Sequence, residues 1–131
     1  MSSEIHEAAA RRIRTLIVDD SPDLALMLST LVDSIPGAQT AGFATNGEEA
    51  IRMTEELRPD LIIMDVQMPV MNGFDAARAI GEMFPASRVV LTSVFAPSGQ
   101  SAGPGLEAID FVPKAQLWRA LPEMVEKMFS A

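Results

Sequence analysis

Cysteine and tyrosine are missing from these 131 residues, and tryptophan and histidine occur once each. Without cysteine there is no disulfide framework and no thiolate metal centre, which agrees with a reducing compartment. The single imidazole, His6, has no second ligand beside it at a helical spacing, so a histidine-based metal site is not expected. No apolar stretch approaches the roughly 20 residues that a membrane helix needs. The N-terminal MSSEIHEAAARRIR has no hydrophobic core behind its basic residues, so neither secretion nor anchoring is indicated, and cytoplasm is the expected compartment. Positive charge is also scarce. Ten Lys and Arg against 18 Asp and Glu leave a net charge of −8, which argues against nucleic-acid binding and for a basic protein surface or a metal cation as partner.

What the chain does have is 48% hydrophobic residues, enough to exclude a disordered chain, in a length that suits one domain. Residues 1–12 read as a mobile or loosely helical lead-in, and residues 13–131 as the domain. The apolar residues come in short runs, each ending on polar residues. Thr15 to Val18 ends on Asp19 and Asp20. Leu61 to Met64 ends on Asp65, Val89 to Leu91 on Thr92 and Ser93, and Ile109 to Val112 on Pro113 and Lys114. A fifth run, Gln39 to Ala44, is less apolar and suits an edge strand.

Between the runs lie helical patterns with recognisable ends. Ser21 and Pro22 fit an N-cap and first helical position, with Leu24, Leu28, Leu31, Val32 and Ile35 on one face and Pro36 and Gly37 as the stop. Asn46 caps a second helix with Glu49 as the back-reaching partner of a capping box. A third helix covers Phe74 to Met83. The last starts near Gln116, faces Leu117, Leu121, Met124, Val125 and Met128 inward, and carries Pro122 in its early turns. The fourth helix is the weak one: Ala96 to Gly105 holds three Gly and two Pro in ten residues, each costing about 1 and about 3 kcal/mol in a helix interior. It is expected to be short or irregular, centred near Leu106 to Ala108. Strands alternating with helices mean parallel pairing. The fold class is therefore α/β, a doubly wound five-stranded parallel sheet in the order 2-1-3-4-5.

In that order Asp19, Asp20 and Asp65 converge at the carboxyl edge of the sheet. Each alone reads as well as a turn residue or cap. Together they form an acidic pocket that asks for a hard cation, and with oxygen donors only the natural occupant is magnesium, held by Asp20, Asp65 and the backbone carbonyl of Gln67, with Asp19 direct or through water. Thr92 and Lys114 reach the same edge, where a hydroxyl and an ammonium suit a phosphoryl group. Singly, Thr92 reads as a strand residue and Lys114 as a solvated charge. Asp65 is the carboxylate best placed to attack phosphorus.

These elements, Asp19-Asp20, MDVQMPVMNG around Asp65, Thr92 and Lys114, in this order at these strand ends, resemble the receiver domain of bacterial two-component response regulators over about residues 13–131. The resemblance implies a signalling switch, not an enzyme acting on other molecules. Asp65 would accept a phosphoryl group from a histidine kinase or phosphotransfer protein, with Mg2+ required. Thr92 and Phe111 would form the switch pair, and Phe111 reads otherwise as a core aromatic. Output to a protein target would run through the face of the fourth helix, fifth strand and fifth helix. Gln67 and Val94 would influence the hydrolytic water, and Val94 offers that water no hydrogen bond, so slow loss of phosphate is expected. Departures are the irregular Pro97 to Gly105, which suggests a segment ordered by phosphorylation or captured by a partner, and Ala115 after Lys114 where many relatives have Pro, so that no cis peptide is expected there. Trp118, one position off the inner stripe of the last helix, is expected to cover the rim of the core.

Two other classes stay open. A phosphatase with an aspartyl intermediate would want a second carboxylate close after the nucleophile, where Gln67 stands. A flavodoxin-like cofactor carrier would need a phosphate-binding loop after the first strand, where Asp19, Asp20 and Asp23 would repel phosphate.

Overall fold

Side-chain alternation along the central strands decides how the chain is layered. The computed structural model describes residues 12–94 and 109–129. In β1 (Ile13–Val18) and β3 (Leu61–Asp65), Ile17, Leu61 and Ile63 point to one face, while Leu16, Val18, Ile62 and Met64 point to the other. A strand buried on both faces has no reason to carry polar residues until it ends, and β3 carries none before Asp65. With β2 (Ala38–Ala44), β4 (Arg88–Ser93) and β5 (Asp110–Pro113) they form one parallel sheet in the order β2-β1-β3-β4-β5, the expected fold.

Four helices cover the sheet among the described residues. One face is covered by α1 (Pro22–Ser34) and α4 (Leu117–Phe129), which place Leu28, Val32, Leu121 and Val125 against Ile17, Ile63 and Val90. The other face is covered by α2 (Gly47–Leu57) and α3 (Gly73–Met83), whose Ala50, Ala76, Ala77 and Ile80 meet Leu16, Ile62 and Leu91. Fully burying each branched side chain stabilises by about 1.5–3 kcal/mol. α4 is the helix counted as fifth in the sequence. The expected short fourth helix and the lead-in over residues 1–11 lie outside the described residues.

Several local expectations need adjustment. The first strand starts at Ile13 because Ile13 and Arg14 pair with Ala38 and Gln39 of β2, and Arg14 also exchanges hydrogen bonds with Asp60: its N–H donates to the carboxylate at 2.9 Å and its carbonyl accepts from Asp60 N–H at 2.8 Å. β4 continues through Thr92 and Ser93, paired with Val112 and Pro113. Ser21 caps α1 and Asn46 caps α2 as expected, with Glu49 N–H donating to Asn46 Oδ1 at 2.8 Å. The Glu49 side chain reaches one residue further back than a capping box requires, accepting from Thr45 N–H at 2.6 Å and Thr45 Oγ1 at 3.2 Å. α4 begins after a 3-10 turn, Lys114–Gln116, and runs through Pro122, which has no N–H to give the Trp118 carbonyl. No cis peptide occurs among the described residues.

Candidate functional site

All five strands run the same way, so their carboxyl ends meet at one edge, and the side chains found there come from four separate segments. Asp19 follows β1 and is 2% exposed. Its Oδ1 accepts from Ser21 N–H at 2.9 Å and its Oδ2 from Lys114 Nζ at 2.9 Å. Asp65 ends β3 at 5% exposed, with Oδ1 accepting from Gln67 N–H at 3.2 Å and Oδ2 from the same Lys114 Nζ at 3.3 Å. Lys114 therefore bridges two buried carboxylates from the turn after β5. Asp20 is exposed, yet one oxygen from each of Asp19, Asp20 and Asp65 lies within 4.8 Å of the others.

Burial sets the electrostatics. Loss of solvent raises the Asp65 pKa, and the nearby Asp19 charge adds to the rise. The Lys114 charge and the Gln67 N–H pull the other way without cancelling it. Burial by itself would lower Lys114, but the Asp19 hydrogen bond and the charges of Asp19 and Asp65 outweigh it and hold the ammonium above its ordinary range. One cation thus serves two carboxylates with a third at the rim. The donors are all oxygen and carry excess negative charge, so a hard divalent cation fits the set.

Thr92 sits directly beside Asp65 in the β3–β4 register and is 1% exposed. Its Oγ1 is buried with no hydrogen-bond partner among the described residues. A buried hydroxyl left unpaired costs about 1–3 kcal/mol. Thr92→Val, nearly the same shape without the hydroxyl, is therefore expected to raise the unfolding free energy by about 1 kcal/mol in denaturant titrations without divalent cation. Loss of stability would mean that the hydroxyl is satisfied in solution.

Gln67 is exposed and so is Val94, just past β4. Phe111 on β5 is half-buried on the α3 side, its ring stacked on Phe74 with centroids 6.0 Å apart, an ordinary aromatic core contact. Trp118 is 46% exposed and shares a small cavity with Met27, Asp19 and Lys114, so it stands at the edge of the site as well as over the core.

The loop from Val66 to Asn72 holds what the sequence reading missed. Met71 N–H donates to the Pro69 carbonyl at 2.8 Å around Val70, whose φ is +70°. Gly73 N–H closes back on the Val66 carbonyl at 2.8 Å. The Pro-Val-Met-Asn-Gly sequence signals a turn here but not its kind.

Residues 15–126 match the family described as response regulator receiver domain. The chain belongs to that family. It is 36% identical over 132 residues to a protein-glutamate methylesterase/protein-glutamine glutaminase of Thermotoga maritima, a match covering 92% of this chain and 38% of that protein. A protein of the same description from Pyrococcus abyssi is 39% identical over 106 residues, 79% of this chain and 29% of its own length. This receiver thus spans about a third of the curated relatives it matches. The crystal structure of the response regulator domain of Thermotoga maritima CheB superposes with a TM-score of 0.76 at 35% identity, covering 90% of this chain and 94% of that one. The receiver reading of the sequence holds.

Proposed function

We propose that this receiver, residues 13–131, is a phosphorylation-controlled switch whose acceptor is Asp65. The observation that carries the reading is the shared edge at which Lys114 bridges Asp19 and Asp65 while the Thr92 hydroxyl stands buried beside them with no partner among the described residues. In the transfer, an Asp65 carboxylate oxygen attacks phosphorus of a phosphohistidine on a histidine kinase or phosphotransfer protein. The P–O bond forms as the P–N bond breaks, and the departing imidazole nitrogen keeps the electron pair and takes a proton from solvent. Asp19, Asp20, Asp65 and the Gln67 carbonyl would hold Mg2+, which when bound would offset the charge that carboxylates and a phosphoryl group bring together. Lys114 neutralises one phosphoryl oxygen, and Thr92 donates a hydrogen bond to another.

The ensuing shift of Thr92 and Phe111 would alter the face made by the fourth helix, β5 and α4, through which a cytoplasmic protein target is engaged. The relatives' names describe hydrolysis of glutamate esters and glutamine amides. This chain matches only a third of their length, and we assign it the control segment, with catalysis limited to its own modification.

Intact-mass measurement after incubation with Mg2+ and acetyl phosphate tests the reading. One added phosphoryl group, absent when Asp65 is replaced by Asn, supports it; no adduct at Mg2+ concentrations that bind overturns it. Decay of the adduct is expected to be slow, because Val94 gives a hydrolytic water no hydrogen bond. Rapid decay that persists when Gln67 is replaced would count against that assignment.

A further inference from the structure

Val70 poses a question of energetics. A β-branched residue in the left-handed region costs on the order of 1–3 kcal/mol and persists only where the surroundings impose it. Val70 is 74% exposed, so its own side chain gains little burial in return. The constraint enters at the next residue. The Met71 carbonyl accepts a hydrogen bond from Gly47 N–H at 3.2 Å, at the first residue of α2.

Gly47 is there for space. Its φ is not in the left-handed region, which among the described glycines only Gly37 occupies, so its backbone would suit any residue. A Cβ on Gly47 would instead lie 2.7 Å from the Met71 carbonyl oxygen, 2.9 Å from Met71 Cγ and 3.0 Å from the Ala76 Cβ. Met71 Cγ could swing aside. Ala76 is fully buried in α3 and cannot, and the carbonyl is backbone, so it can move only with the loop that carries it. α2 is itself anchored by buried Ala50 and Thr54 and by the Glu49–Thr45 contacts. The part free to give is the loop, and the loop begins directly after Asp65 with Val66 and Gln67.

We propose that Gly47 is a positioning residue for the Asp65 site, acting through Met71: the start of α2 holds the acceptor loop at the height that the Gln67 backbone needs. This rests on the acceptor reading above. Gly47→Ala should fold, since the backbone atom that its Cβ meets, the Met71 carbonyl oxygen, lies on the loop and not in the sheet. Its Mg2+ affinity and its rate of modification by acetyl phosphate should each fall roughly tenfold, misplacement by about 1 Å being worth up to about 100-fold. Gly81→Ala, on α3 where a Cβ meets nothing within 4 Å, is the control and should leave both unchanged.

A second measurement needs no variant. In a Mg2+ titration of the wild-type chain followed by amide NMR, the Gly47 resonance should shift with the same midpoint as those of Val66 and Gln67. A Gly47 resonance that stays still while Val66 and Gln67 move overturns the proposal, even if Gly47→Ala fails to fold. So does a folded Gly47→Ala with wild-type Mg2+ affinity and rate. A wild-type chain that binds Mg2+ but takes no adduct overturns the acceptor reading, and the amide titration then decides separately whether Gly47 is coupled to the metal-binding carboxylates.

Discussion

Asp65→Asn is expected to unfold at a higher temperature than the natural chain at neutral pH in EDTA, although it can take no phosphoryl group. The two results have one cause. Burial raises the folded-state pKa of Asp65 above its ordinary value of 3.8 despite the bridge to Lys114. A carboxyl group shifted in that direction contributes stability that is fully present below its unfolded pKa and lost as pH rises through the folded pKa. At neutral pH the ionised group is therefore a net cost to folding. An amide of the same shape removes that cost and leaves Lys114 paired with Asp19 at 2.9 Å. A gain of about 1 kcal/mol, a few degrees in Tm, is the expected size. The advantage should shrink as pH falls toward 3.8, and should also shrink when Mg2+ is added to both chains. Thermal unfolding at several pH values checks this; a variant less stable at neutral pH would show that the Lys114 pair outweighs burial.

Gly73→Ala should have a large effect of the opposite sign. A Cβ there would lie 2.4 Å from the Asp65 carbonyl oxygen, 2.8 Å from Val66 Cα and 3.0 Å from the Asp65 carbonyl carbon. All three are backbone atoms of the acceptor strand and the first loop residue, so no side chain can turn away to relieve the clash. Gly73 is also buried at the start of α3, next to the Asn72 cap that accepts from Asp75 N–H at 2.9 Å. Overpacking against fixed atoms costs typically about 1–3 kcal/mol and sometimes more, and here the upper end is expected. Urea unfolding should show a midpoint lowered by about 3 kcal/mol divided by the slope, with the slope itself unchanged. A midpoint within error of wild type would mean that strand and helix can separate without loss.

How much of this was readable beforehand follows from the range of each interaction. The strands and their order, and the side chains delivered at their ends, are written in local patterns: an apolar run, then a carboxylate, hydroxyl or lysine. Strand limits were less readable, because exposed Arg88 and Asp110 join the sheet through backbone pairing with Leu61 and Val90. Glu49 has the spacing of a capping box, yet an oxygen on a flexible stem can choose between two neighbouring N–H groups, and it takes Thr45. Least readable were Gly47 and Gly73. Asn-Gly before a helix looks like ordinary turn chemistry in both places. What makes them exacting is an atom of another segment, Met71 in one case and the end of β3 in the other, a distance that no periodicity encodes.

Trp118 gives the absence of tyrosine a practical meaning. The chain has one indole and no phenol, and that indole lines the same cavity as Asp19 and Lys114. Indole emission from this protein therefore originates at one place, beside two groups whose charge balance the site controls. The chain carries its own optical label at the edge of its acidic pocket.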